Sequence, residues 1–394
     1  MIIIKDKKDC CGCSACVQIC PKQCILLKED NEGFLYPIID KKTCINCGLC
    51  EKACPTLLSQ EPQVPLSIYA AKNKDENIRL ESSSGGIFSA IAEYIISQDG
   101  VVFGAQFDSN WEVKHDYSET LKGIASFRGS KYVQSRIEDN YQKVEIFLKQ
   151  GRNVLFTGTP CQIAGLKSFL KKEYTNLLTI DILCHGVPSP KVWRMYLNEC
   201  CNILSIKPTN RNNITTIQNI NFRDKKRGWR KYSFVLEPHD SIHQTISIHE
   251  PFYDNIFMKG FLDDLYLRPS CYQCQFKSGR SKSDICIADY WNILNAHLDF
   301  DDDKGVSLVL INSEKGQNIY NTLRSKFDSV QSNYDISQER NGGFKEIVKQ
   351  HPNRKSFFNE MKKTHSITKT IEKHTKRSLL SQIKKHIKKI FVMP

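Results

Sequence analysis

The chain has 394 residues, 40% of them apolar, a length that can bury two ordinary domains. Its formal net charge is +13, but residues 361–394 hold ten Lys or Arg against one Glu, so the tail carries +9 and the first 360 residues only +4. A basic field over the whole body is therefore excluded, nucleic acid is not an expected partner, and no apolar run approaches the roughly 20 residues needed to span a bilayer. Residues 1–4 are too brief for the apolar core of an export signal. Together with 17 cysteines, clustered at metal rather than disulfide spacings, this predicts a cytoplasmic protein.

Residues 1–58 contain an internal repeat. Cys10, Cys13, Cys16 and Cys20 precede Pro21, and 34 residues later Cys44, Cys47, Cys50 and Cys54 precede Pro55. Each copy reads CxxCxxCxxxCP, a run in which three thiolates hold one 4Fe-4S cluster and the fourth reaches across to the other. The spacing predicts one cluster on Cys10, Cys13, Cys16 and Cys54, and a second on Cys44, Cys47, Cys50 and Cys20, in a small bacterial-type ferredoxin domain. Zinc is the competing ion, since CxxC also suits zinc, but it asks for neither the third Cys nor the proline. Cys11 and Cys24 fall outside the pattern and read as packing residues or spare thiols.

Residues 59–65 carry two prolines and read as an extended linker. Beyond it, strands predicted at 67–71, 101–107, 154–156 and 177–183 alternate with helices at 85–96, 137–149 and 161–170. That alternation predicts a larger mixed α/β body over 67–350, so the fold class is α+β/α/β. A β-rich insertion is expected over 210–249, with helices returning after Pro251 and loops at 210–213 and 301–303. In the tail, Leu379, Leu380, Ile383, Ile387, Ile390 and Phe391 recur at helical spacing opposite Lys384, Lys385, Lys388 and Lys389. Such a basic amphipathic helix lies on an anionic membrane at its inner face, docks on a partner, or stands solvated as a frayed terminus.

Three motifs in the body have the makings of an anion site. Glu81-Ser-Ser-Ser-Gly-Gly86 opens a helix, where small residues let backbone N–H groups converge on negative charge. Thr157-Gly-Thr-Pro-Cys-Gln162 repeats the design, with Pro160 suited to a first helical turn. Arg128-Gly-Ser-Lys-Tyr-Val-Gln134 adds donors of the kind that grip phosphates. Neither GxGxxG nor a Walker loop occurs, so a standard dinucleotide or P-loop site is not supported.

With ESSSGGIFSAIAEYI, VVFGAQFD, RGSKYVQS, VLFTGTPCQIAGL, DILCHGVPSP, RDKKRGW, LRPSCYQCQFK and DICIADYW in this order, the chain resembles the coenzyme F-420 hydrogenase/dehydrogenase beta-subunit family from residue 67 to about 312, fused to a two-cluster ferredoxin. The resemblance implies a flavin, FAD or FMN, held by Ser83, Ser84, Gly85, Gly86, Ser130, Lys131, Tyr132, Thr157, Gly158 and Thr159. Cys161, Cys184, Cys271 and Cys274 lie inside its motifs, and four thiolates from three segments can close around a third 4Fe-4S cluster. The competing reading makes Cys271 and Cys274 a turn or a zinc site and Cys161 a reactive thiol at a helix N-terminus. Cys200 and Cys201 read as core, and Cys286 stands outside the pattern.

His185 is the candidate catalytic residue, as a proton donor near the flavin or a group tuning the cluster, against a hydrogen-bonded loop histidine. Asp289, Tyr290 and Trp291 are candidate walls of the flavin site, against an aromatic pair at a strand end that belongs to the core. The resemblance implies an iron-sulfur flavoprotein oxidoreductase that passes electrons between clusters and a flavin exchanging a hydride with a substrate, a deazaflavin among the candidates. Its partner is then a redox protein or a small-molecule hydride donor or acceptor. The rivals are a non-catalytic electron-transfer subunit of a larger complex, and a reductase serving surface-polysaccharide biosynthesis, because fold does not fix substrate.

Overall fold

Residues 1–207, 216–239, 247–339 and 342–376 are described by the computed structural model. The 210–213 loop and the amphipathic tail from Leu379 onward lie outside them. Near the N-terminus two short helices, Ala15–Gln18 and Leu49–Lys52, each follow a residue in the left-handed conformation, Ser14 at φ 65° and Gly48 at φ 74°. Each helix carries the third cysteine of its repeat. Strands β1 (Ile25–Glu29) and β2 (Leu35–Ile39) form an antiparallel hairpin, Ile25 opposite Ile39. The interior of this unit is largely cysteine: Cys16, Cys24, Cys50 and Cys54 are buried with Ile2 and Ile25.

The body lays down β3 (Ser67–Asn73), β4 (Val101–Phe107), β5 (Val113–Ser118), β6 (Val154–Gly158) and β7 (Leu177–Ile182). A second run gives β8 (Thr216–Asp224), β9 (Ser233–His239) and β10 (Ile248–Pro251), and a third β11 (Ile285–Asp289), β12 (Ser307–Ile311) and β13 (Phe327–Gln331). Among the described residues eight strands make one mixed sheet in the order β13-β3-β12-β11-β7-β6-β4-β5. Its centre, β11-β7-β6-β4, is parallel; β5 and β12 flank it antiparallel. Alternation along each strand sends side chains to opposite faces. Val102, Leu155 and Ile180 meet helix Ile87–Ser97, while Phe103, Phe156 and Leu177 meet helix Pro160–Leu170. Strands β8 to β10 form a separate antiparallel sheet whose Phe222 and Phe234 pack on Trp193 and Phe257.

One expectation needs correction. The helix expected over 137–149 begins at Asn140, because Glu138 has φ 53°, a conformation through which a right-handed helix does not run. After Pro251 helices return as expected, among them Ile256–Leu262, Glu314–Thr322, Arg354–Met361 and Ile367–Thr375, and strands β11, β12 and β13 come among them and enter the main sheet. The apolar run of β12 is buried at all five positions, and a short continuous run of that kind has no period to separate strand from helix. Among the described residues no helix is long and apolar enough to cross a membrane.

The N-terminal unit is seated on the body by side chains. Arg354 holds Glu32 at 2.5 Å, Arg194 holds Glu29 at 2.6 Å, and Gln142 Nε2 donates to Gln18 O at 2.8 Å. The linker is extended and anchored: Gln63 N–H donates to Ser278 O at 2.9 Å and Arg280 Nε to Gln60 O at 3.1 Å.

Candidate functional site

The two cysteine repeats fold so that their fourth members cross over. Burial, reinforced by Cys10, Cys54 and Cys50 close by, pushes the Cys16 thiol up to about 12. Cys54 lies close to Cys13 as well, and so stands with the first repeat. Cys20 lines a small cavity with Cys44, Cys47 and Cys50, and so stands with the second. Cys24, read as a packing residue or a spare thiol, is buried and lines that cavity with its Sγ 3.4 Å from Cys20 Sγ.

In the body, Cys161, Cys184, Cys271 and Cys274 line one cavity. Cys161 sits in the first turn of helix Pro160–Leu170, where Thr159 and Gln162 form a capping box. Cys184 follows β7, and Cys271 and Cys274 bracket the turn after Arg268. Burial pushes the Cys271 thiol up to about 12, and Cys161 and Cys274 nearby act in the same direction. Thiols that resist ionisation when buried together become thiolates once a metal centre lies among them. The donor set therefore fits an iron-sulfur cluster. Among the described residues no three or more Cys, His, Asp or Glu side chains converge on a single metal ion. Cys11 stands between the two regions, within hydrogen-bonding reach of both Cys13 and Cys161. Cys286 is buried and lines the same cavity, while Cys200 and Cys201 are core.

A second cavity, of about 460 Å³, opens beyond the carboxyl ends of β4, β6, β7 and β11, where open α/β sheets bind ligands. That volume lies within the roughly 300–1,000 Å³ of small-molecule and cofactor sites. Ser83, Ser84, Gly86, Ser130, Lys131, Tyr132, Thr157, Gly158 and Thr159 all line it. Gly86 caps helix Ile87–Ser97 at φ 81°, a backbone conformation suited to glycine. Gly85 does not line the cavity. It lies beneath the wall, where an added Cβ would stand 2.4 Å from Ala71 O and 2.7 Å from Ser307 N.

The cations of the RGSKY segment have internal partners. Arg128 pairs with Glu81 at 2.6 Å and Glu93 at 3.6 Å. Lys131, which burial lowers to about 7, donates to Arg128 O at 2.8 Å and Gly129 O at 3.1 Å. His185 lines both body cavities, and its Nε2 lies 2.6 Å from Asp264 Oδ1, so the ring is held rather than free. Asp289 and Trp291 line the second cavity; Tyr290 is fully buried and turned into the core beside β12.

Several wall residues had no prediction. Arg223 is buried, clamped by Asp289 at 2.8 and 3.0 Å, donates to Tyr132 Oη at 3.1 Å, and lies 4.1 Å from the Tyr232 ring centre. Its segment, RDKKRGW, carried the family resemblance, so a signal existed. His115 had none: it sits mid-strand in β5, donates to Thr157 O at 2.9 Å, and burial lowers it to about 4. The strip Cys184, His185 and Gly186 lines both body cavities and separates them.

Family models agree with this arrangement. The model for the N-terminal part of the coenzyme F420 hydrogenase/dehydrogenase beta subunit matches residues 68–139, and the model for the C terminus of the same beta subunit matches 151–331. Two 4Fe-4S dicluster domain models match 9–57 and 36–92; the first spans all eight repeat cysteines. Among solved structures, a chain of the F420-reducing [NiFe] hydrogenase complex from Methanosarcina barkeri is similar at 17% identity and a TM-score of 0.46, over 78% of this chain and 97% of that one. No curated protein matches. With the two beta-subunit models covering more than half of its length and the dicluster model its cysteine repeats, the chain belongs to the coenzyme F420 hydrogenase/dehydrogenase beta-subunit family and is an iron-sulfur electron-transfer protein of that type.

Proposed function

We propose that the chain is a flavin-dependent iron-sulfur oxidoreductase, with FAD or FMN in the 460 Å³ cavity and a third 4Fe-4S cluster on Cys161, Cys184, Cys271 and Cys274. The observation that carries this reading is the strip Cys184 to Gly186, a single turn of chain that belongs to both cavities. A flavin supplies the exchange between a hydride, taken as two electrons, and single electrons that clusters carry. Ser84, Gly86 and the start of helix Ile87–Ser97 offer converging N–H groups for a phosphate-bearing cofactor, and Thr157 to Thr159 line the same cavity. Tyr132 and Trp291 offer aromatic walls. His185, oriented by Asp264, is the residue placed to hold a proton at the boundary of the two cavities. The expected partner is a redox protein or a small-molecule hydride donor or acceptor, a deazaflavin among them.

Ala105 on β4 lines the cavity, and an indole there would take up part of the space a flavin needs. Chain purified without oxygen is expected to release about one flavin, and Ala105→Trp chain little, at equal iron content. Equal flavin in both would remove the cavity from the account. Full iron without flavin in the parent chain would favour the electron-transfer subunit instead.

A further inference from the structure

Arg268 comes from the body but reaches into the ferredoxin unit. Its side chain is fully buried. Nε donates to Cys10 O at 2.8 Å, Nη2 to Leu35 O at 2.9 Å, and Nη1 to Gln134 Oε1 at 3.0 Å, while Nη2 faces Cys10 Sγ at 3.6 Å. The guanidinium lies over the rings of Tyr36 and Phe34, 4.4 and 5.4 Å from their centres. Its carbonyl accepts from Cys271 N–H at 2.9 Å, so one residue touches both cysteine sites.

Among the described residues four arginines are buried, and three have a carboxylate: Arg79 has Asp302, Arg223 has Asp289 and Arg354 has Glu32. Among those same residues Arg268 has none. Its acceptors are carbonyls, an amide and one thiol sulfur. A buried cation without an anion is costly, so the missing negative charge belongs at Cys10. A 4Fe-4S core with four thiolates is an anion that gains a further negative charge on reduction, and hydrogen bonds to its sulfurs help set its potential. A fixed cation in low dielectric favours the reduced form. At the other ferredoxin site Cys47 and the nearby Lys22 are exposed, where water and salt screen charge.

We propose that Arg268 is the counter-charge of the cluster on Cys10, Cys13, Cys16 and Cys54, and holds its potential above that of the cluster on Cys44, Cys47, Cys50 and Cys20. Electrons entering at the outer cluster then settle on the inner one, beside Cys161. The proposal rests on the cluster reading of these cysteines and is independent of the flavin.

The test is a redox titration of the full chain by electron paramagnetic resonance, with iron analysis alongside. Arg268→Gln is expected to lower the reduction equilibrium constant of one ferredoxin signal at least tenfold, about 59 mV for a one-electron couple. That signal should be the one a Cys13→Ala chain lacks, with the signal of the cluster on Cys44, Cys47, Cys50 and Cys20 within threefold of the parent. Full iron with every potential within threefold, or a tenfold shift in the signal of the cluster on Cys44, Cys47, Cys50 and Cys20, overturns the proposal. Absence of clusters from the parent chain overturns the cluster reading instead. If Arg268→Gln loses iron, Arg268→Lys decides: recovered iron supports a need for the charge, and continued loss overturns it.

Discussion

Gly165 lies mid-way along helix Pro160–Leu170, one turn beyond Cys161, at the point where the ferredoxin unit meets the body. A Cβ there would stand 2.8 Å from Cys13 Cβ, 2.8 Å from Tyr141 Oη and 3.0 Å from Cys13 Sγ. Two effects oppose each other in Gly165→Ala. Alanine in a helix interior is favoured over glycine by about 1 kcal/mol. Overpacking a dense interior costs typically about 1–3 kcal/mol. Here the neighbours have little room: Tyr141 Oη is held to Gln162 O at 2.8 Å, and Cys13 is buried in the same core. The packing cost should lie at its upper end, leaving a net loss of about 1–2 kcal/mol. The assay is the midpoint of urea-induced loss of the iron-sulfur absorbance, with paramagnetic resonance of the reduced clusters. The expected result is a lower midpoint and an altered signal from the cluster on Cys13. A chain as stable as the parent with unchanged spectra would refute the close seating of the two units.

Cys161→Ala or Cys271→Ala should remove one cluster and leave both ferredoxin signals, read by paramagnetic resonance of the reduced chains; an unchanged spectrum would free these cysteines from a ligand role. Gly85→Val should unsettle the sheet and not report selectively on the cofactor, because its Cβ meets backbone of β3 and β12; the melting temperature should fall by the equivalent of about 3 kcal/mol. His115 is held neutral, its pKa moved by burial from 6.5 to about 4. Above pH 6.5 neither state binds the proton and the group adds nothing; below it the unfolded chain gains a proton that the folded chain refuses. Stability should therefore drop by up to about 3 kcal/mol between pH 6.5 and 4. His115→Gln should flatten that fall in urea midpoints, and a parallel fall would refute it.

Local spacing made the N-terminal repeats readable, because cluster ligation is written in short intervals such as Cys10 to Cys13 to Cys16. Helix Pro160–Leu170 was readable for the same reason: Thr159, Pro160 and Gln162 are a start signal within four residues. The body cysteines come from three segments, and no spacing joins Cys161 to Cys271; only resemblance to a family did. Long-range pairings left less trace. Strands β11 and β12 are short apolar runs without distinguishing period, and β13 and β5 read as polar stretches, with only Phe327 buried in the first and Val113 and His115 in the second. The role of Arg268 depends on a contact 258 residues away along the chain. Arg128 illustrates the opposite error, a cation of phosphate-gripping type whose charge is taken up by Glu81.

Iron, acid-labile sulfide and flavin counted together on full chain purified without oxygen test the central claim most directly. Two ferredoxin clusters, a body cluster and a bound flavin predict twelve irons, twelve sulfides and one flavin per chain. Eight irons without flavin, or zinc in place of iron, would contradict it.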